Sequence, residues 1–278
     1  MKHIVSIAWL LSHLEDTNLV VADCRFQLGQ PDAGRQAYEE AHIPNAVYFD
    51  LEQDLSAPVG EHGGRHPVPD IDTLATKLGL AGINVNSTVV VYDDQGGAMA
   101  SRLWWLLHYL GHEKVYVLDE GFSVWKKAGQ PVSSLLKEAV PTVFTAHIRT
   151  DIIADVTEVQ AKLGQPGTLL LDSREAPRYL GEVEPIDKAA GHIPGAINKF
   201  WKDVLDEQGR FKDESAITEN YASLPRDKEI IVYCGSGVTA TPNILGLSEA
   251  GFKNVKLYAG SWSDWISYMD NPVATGEE

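Results

Sequence analysis

The chain has 278 residues, 44% of them hydrophobic, enough apolar side chain for one large core or two ordinary ones. With 23 basic against 39 acidic residues, its formal charge is −16 and no basic run is longer than a pair. Such a surface repels nucleic acid and anionic membranes and argues against both as main partners. No stretch approaches the ~20 continuous apolar residues of a spanning helix. The opening segment turns polar before any small-residue cleavage site, so no signal peptide is expected.

Taken in chain order, β-branched runs predict strands at 19–22, 88–92 and 115–118, accompanied by helices at 70–79 and 98–110. A stretch of little periodicity, around 131–150, follows. The alternation then resumes with a helix at 155–163, strands at 168–171 and 229–233, a helix at 239–250 and a strand at 255–258. Short apolar strands separated by helices imply a parallel sheet covered on both faces. The expected organisation is α/β, with domains over 1–135 and 151–278 joined by a linker at 136–150.

The two halves repeat one another. "VVADCR" (20–25) answers "LLLDSR" (169–174), and "AHIPNA" (41–46) answers "GHIPGA" (191–196). "VVVYDD" (89–94) answers "IIVYCG" (230–235), and "GHEKVYVLDEGFSVW" (111–125) answers "GFKNVKLYAGSWSDW" (251–265). Four matches in one order, at offsets of about 140–150 residues, indicate two homologous domains. His42 and His192 occur once in each copy and are expected to brace turns.

The chain has two cysteines, Cys24 and Cys234, which give neither a disulfide framework nor metal-ligand spacing. A reducing, cytoplasmic setting is expected, with no metal and no cofactor. Cys24 follows a strand without any glycine turn and reads as structural. Cys234 ends a strand and opens "CGSGVTATP", where Gly235 and Gly237 let backbone N–H groups converge on an anion. The helix that follows, with Pro242 in its first turn, adds its positive end. The hydroxyls of Ser236 and Thr239 add donors. This loop favours a thiolate at Cys234; the plainer alternative is a small buried hydrophobe. Asp93 stands at the corresponding position of the first copy, so one half reads as active and the other as supporting.

The loop "CGSGVTA", the twice-used "HIP" followed by Asn or Gly and Ala, and the terminal "GSWSDW…DNPVATG" resemble the tandem rhodanese family of sulfurtransferases over nearly the whole chain. The loop is most similar to the 3-mercaptopyruvate branch, because the thiosulfate branch carries two basic residues directly after the cysteine. The resemblance implies two rhodanese-like domains and a persulfide formed on Cys234. It also implies a small anionic sulfur donor, cyanide or a thiol as acceptor, and a thioredoxin-like protein as a candidate reductant. Gly235, Gly237, Val238 and Thr239 would cradle the donor, and Arg178 in "PRYLGE" matches the family's anion-binding arginine. A second arginine of the mercaptopyruvate branch falls on Asp187 here, leaving Lys188 as a substitute point charge. The resemblance further implies a proton relay through Ser236, His66 and a carboxylate at Glu52, with Asp50 as an alternative. His66 belongs to the first copy, so it acts only if its loop reaches Cys234; otherwise it is a solvated loop histidine.

Three readings compete. A mercaptopyruvate sulfurtransferase suits the uncharged loop, and a thiosulfate sulfurtransferase would use the same persulfide. A persulfide carrier without turnover would look the same in sequence. A Cys-x5-Arg phosphatase is disfavoured because Ala240 stands where its arginine is needed. Arg178 itself has a plainer reading, an ion pair with Glu182 or Glu184.

Overall fold

The computed structural model describes residues 1–136 and 138–277. The first sheet comprises β1 (Ile4–Val5), β2 (Leu19–Asp23), β3 (Val47–Tyr48), β4 (Thr88–Tyr92) and β5 (Val115–Leu118). The second comprises β6 (Ile153–Ala154), β7 (Thr168–Asp172), β8 (Ala196–Asn198), β9 (Glu229–Tyr233) and β10 (Val255–Tyr258). All pairings are parallel, in the orders β1-β5-β4-β2-β3 and β6-β10-β9-β7-β8, the same permutation twice. In the central strands, Val89–Tyr92 and Ile230–Tyr233 are fully buried, as parallel sheets with helices on both faces require.

The helices of the first half are α1 (Ile7–His13), α2 (Ala33–Glu40), α3 (Ile71–Leu80), α4 (Ala100–Tyr109) and α5 (Phe122–Lys127). Those of the second are α6 (Val156–Lys162), α7 (Ala176–Tyr179), α8 (Glu214–Asn220), α9 (Thr241–Glu249) and α10 (Ser261–Trp265). Asp70, Asp155 and Asp213 each accept the N–H three residues on, which sets the starts of α3, α6 and α8. Each sheet carries two more strands than the sequence pattern indicates. The extra strands span only two or three residues, too few for a periodicity to register.

The copies share internal braces. After β2, the Arg25 guanidinium grips Asp23 at 2.6–3.1 Å and lies over the Phe122 ring. After β7, Arg174 grips Asp172 at 2.6–3.1 Å and lies over Trp262. His42 and His192 each stack on a tyrosine and place Nδ1 against that tyrosine's carbonyl, at 2.6 and 2.8 Å.

Two compact units result, and neither is contiguous. The first comprises Met1–Ala57, Pro69–Arg149 and Leu205–Phe211; the second comprises Pro58–Val68, Thr150–Val204 and Lys212–Glu278. Residues 58–68 therefore leave the expected 1–135 domain and 205–211 leave 151–278. The expected linker is packed rather than free: Thr142 N–H donates to Gly79, His147 N–H to Leu110 and Arg149 N–H to Tyr109, all in the first unit. Lys137 of that linker and Glu278 at the end of the expected second domain lie outside the described residues. Among the described residues no helix is long and apolar enough to cross a membrane.

Candidate active site

Cys234 directly follows β9, and the chain turns through Gly235–Ala240 before α9 begins. Its side chain is almost fully buried, and its Sγ accepts the Gly237 N–H at 3.2 Å. Gly237 has φ +77°, and a Cβ there would collide with the Ala259 carbonyl, so only glycine fits this turn. The back of the loop is fastened to α10. Trp262 N–H donates to the Cys234 carbonyl and Ser263 N–H to that of Gly235, both at 3.0 Å. Cys234 N–H donates to Ser261 Oγ at 3.1 Å. Ser261 adopts φ +56°, a strained conformation for a residue with a Cβ.

The front of the loop is open. The N–H groups of Gly235, Ser236, Val238 and Thr239 have no acceptor among the described residues. The first unit shows what such a loop does with an anion. There the Asp93 carboxylate, at the place of Cys234, accepts N–H bonds from Gln95, Gly97, Met99 and Ala100 at 2.7–2.9 Å. Burial pushes the Asp93 carboxyl up from its usual range, and the four N–H bonds pull the other way. The first copy thus fills its cradle with its own carboxylate, while the second holds a sulfur at that place.

Residues 58–68 reach this loop within the second unit. Gly63 N–H donates to Asp264 Oδ1 at 2.7 Å and Arg65 N–H to Ser263 Oγ at 3.1 Å, while His62 stacks on Tyr268. This lacing sets buried His66 with Nδ1 2.8 Å from Ser236 Oγ. The expected Ser236–His66 pair therefore exists. The expected carboxylate, Glu52, belongs to the other unit. Glu52 is exposed in the first unit and engages Asp50 through its backbone N–H. Asp50 spends its own carboxylate on Tyr48 and on the N–H groups of Glu52 and Gln53.

Arg178 on α7 forms a forked ion pair with Glu184 at 2.7–3.1 Å and contacts Asp187 Oδ2 at 3.0 Å. The ion-pair reading of Arg178 holds with Glu184, and the paired guanidinium also faces the cysteine loop. A Cβ on Gly235 would stand 3.6 and 3.7 Å from its terminal nitrogens, and 2.9 Å from Arg65 Nη2. Gly235 matters here for its small size, which admits two guanidinium groups. Arg65 was not anticipated from sequence. Lys188, expected as the second cation, is exposed at the rim of a cleft of about 200 Å³. Arg65 holds the inner place, and Asp187 bridges Arg65 and Arg178. Burial lowers the Arg65 pKa and Arg178 adds to that, while the Cys234 sulfur acts in the opposite sense. The only signal for Arg65 was a basic residue beside His66 in a glycine-rich loop. Val238 is buried in the loop and Thr239 half-buried. Among the described residues no group of three or more His, Cys, Asp or Glu side chains could hold a metal ion.

The rhodanese-like domain model matches residues 6–128 and again 155–268. A Pseudomonas aeruginosa protein provisionally named 3-mercaptopyruvate sulfurtransferase is 47% identical over 273 residues, covering 96% of each chain. A Mycobacterium tuberculosis protein provisionally named thiosulfate sulfurtransferase is 36% identical over 261 residues, covering 92% of this chain and 90% of that protein. The crystal structure of SseA from Escherichia coli, described as a 3-mercaptopyruvate sulfotransferase, aligns with TM-score 0.81 at 33% identity, over 95% of this chain and all of that one. A domain model matched twice, relatives similar over nearly the whole chain and a cysteine loop on the duplicated α/β scaffold agree: the chain belongs to the rhodanese family.

Proposed function

We propose that this protein is a 3-mercaptopyruvate sulfurtransferase working through a persulfide on Cys234. The Cys234 thiolate attacks the donor sulfur, and a new S–S bond forms as the C–S bond breaks. The electron pair of that bond goes to carbon, giving a pyruvate enolate that takes a proton and leaves as pyruvate. The terminal sulfur of the persulfide carries the negative charge toward the open N–H groups of the loop. Cyanide or a thiolate then attacks that sulfur and the S–S bond breaks. The products are thiocyanate or a new persulfide, and Cys234 returns to thiolate. Both cysteines are free thiols, and this cycle suits a reducing, cytoplasmic setting.

The observation that carries the choice of donor is the 2.8 Å contact between His66 Nδ1 and Ser236 Oγ, two residues after the nucleophile. Mercaptopyruvate needs a proton delivered to its leaving enolate, and a histidine–hydroxyl pair supplies one near neutral pH. Thiosulfate leaves sulfite, which needs none. Thiosulfate is a second reading on one observation, the two guanidinium groups beside Gly235, which suit a dianion.

The test is steady-state sulfur transfer to cyanide with each donor, on wild type and Cys234→Ser. Pyruvate release far exceeding thiosulfate turnover supports the proposal, and the reverse preference selects the second reading. Persulfide formed once without turnover means a carrier. Activity retained by Cys234→Ser removes the persulfide mechanism altogether.

A further inference from the structure

A carboxylate sits between the two guanidinium groups beside the cysteine loop. The Asp187 side chain is only 4% exposed, with Oδ2 3.0 Å from Arg178 Nη2 and Oδ1 on Arg65 Nη1. These are the two guanidinium groups that flank the place a Cβ on Gly235, the residue next to Cys234, would occupy. A short α-keto acid whose sulfur meets Cys234 cannot hold its carboxylate far from Gly235.

We infer that Asp187 is a specificity-determining residue: its carboxylate occupies the donor-anion subsite between Arg65 and Arg178 and is exchanged for the donor's carboxylate when substrate binds. This rests on the proposed role of Cys234 as the sulfur acceptor. Two features of the chain favour exchange over a fixed strut. The segment carrying Asp187 runs from Gly181 to Gly191, both at positive φ, with neither helix nor strand between them. Ile186 and Lys188 on either side of Asp187 are exposed. Moving the aspartate outward therefore uncovers little apolar surface. Arg178 keeps its forked partner Glu184 throughout, so the exchange leaves that guanidinium oriented. Among the described residues Arg65 pairs with no second carboxylate, so it is the cation that depends on Asp187 or on donor.

The exchange is one carboxylate for one, so it preserves the local charge and favours monoanionic carboxylate donors. A donor must outcompete a tethered carboxylate whose effective concentration is high, which raises KM without taking part in bond making. Asp187→Asn keeps the shape and removes the charge. The expected result is a KM for mercaptopyruvate lowered about fivefold or more, with kcat changed less. Binding of pyruvate, titrated calorimetrically as a non-reacting carboxylate, tightens by a similar factor. Asp187→Ala gives the same direction if the asparagine variant folds poorly, and thermal melting reports folding for both. An unchanged or raised KM together with unchanged or weakened pyruvate binding overturns the inference and makes Asp187 a structural partner of the arginines. Pyruvate titration does not require turnover, so failure of the inference is distinguishable from failure of the proposed function, which is read by the donor assays on wild type.

Discussion

His66 Nδ1 and Ser236 Oγ lie 2.8 Å apart across a sequence separation of 170 residues, inside one compact unit. The segment carrying His66 is laced to α10, the helix whose first N–H groups secure the cysteine loop. The His66 imidazole and the cysteine loop are thus referenced to the same short helix.

His66→Asn and Ser236→Ala should each lower kcat for mercaptopyruvate by about 100-fold, the usual worth of a general acid or base. The double variant should be little worse than either single one, because the two groups act as a pair. Thiosulfate turnover should fall far less. Equal losses with both donors in parallel assays would remove the proton-delivery role.

Gly237→Ala should destabilise the protein by about 2 kcal/mol or more, because it combines positive φ with a collision on the Ala259 carbonyl. It should also abolish persulfide formation, since the N–H aimed at Cys234 Sγ must move. Differential scanning calorimetry and mass spectrometry of mercaptopyruvate-treated protein check the two effects. Wild-type melting with intact persulfide would contradict the geometry.

Arg25→Met and Arg174→Met each leave a fully buried aspartate, Asp23 or Asp172, without its guanidinium. Each should lose about 3 kcal/mol, the expected penalty for breaking a buried pair from one side. Arg174 also touches Glu184, which orients Arg178, so only Arg174→Met should raise the donor KM as well. Denaturant unfolding and donor titration separate the two variants.

Burial pushes the Asp119 carboxyl up to about 6, against a hydrogen bond from Phe211 N–H at 2.8 Å. A carboxyl raised on folding stabilises the fold below its unfolded value of 3.8, and that contribution is lost as pH rises through about 6. Asp119→Asn should therefore be more stable than wild type at pH 8, by about 1 kcal/mol after solvent screening. The advantage should vanish near pH 4. Melting temperatures across pH 4–8 test this, and a gain independent of pH would refute the assignment to this carboxyl.

Local chemistry made much of this protein readable from its sequence. The core strands are β-branched runs that must be buried on both faces, and the repeat follows from pairing "VVADCR" with "LLLDSR". Cys234 was legible because strand end, glycines and helix start are adjacent in the chain, so one short stretch encodes the whole cradle. The two-residue edge strands left no periodic trace, and the strained backbone of Ser261 answers to packing rather than to residue type. The assignment of residues 58–68 to the second unit, the entry of Arg65 in place of Lys188, and the capture of Asp187 by two arginines were decided by tertiary structure alone. Each depends on polar groups 122 or more residues apart meeting in a shielded space, and pairing energies of that kind exist only after the chain has closed those distances.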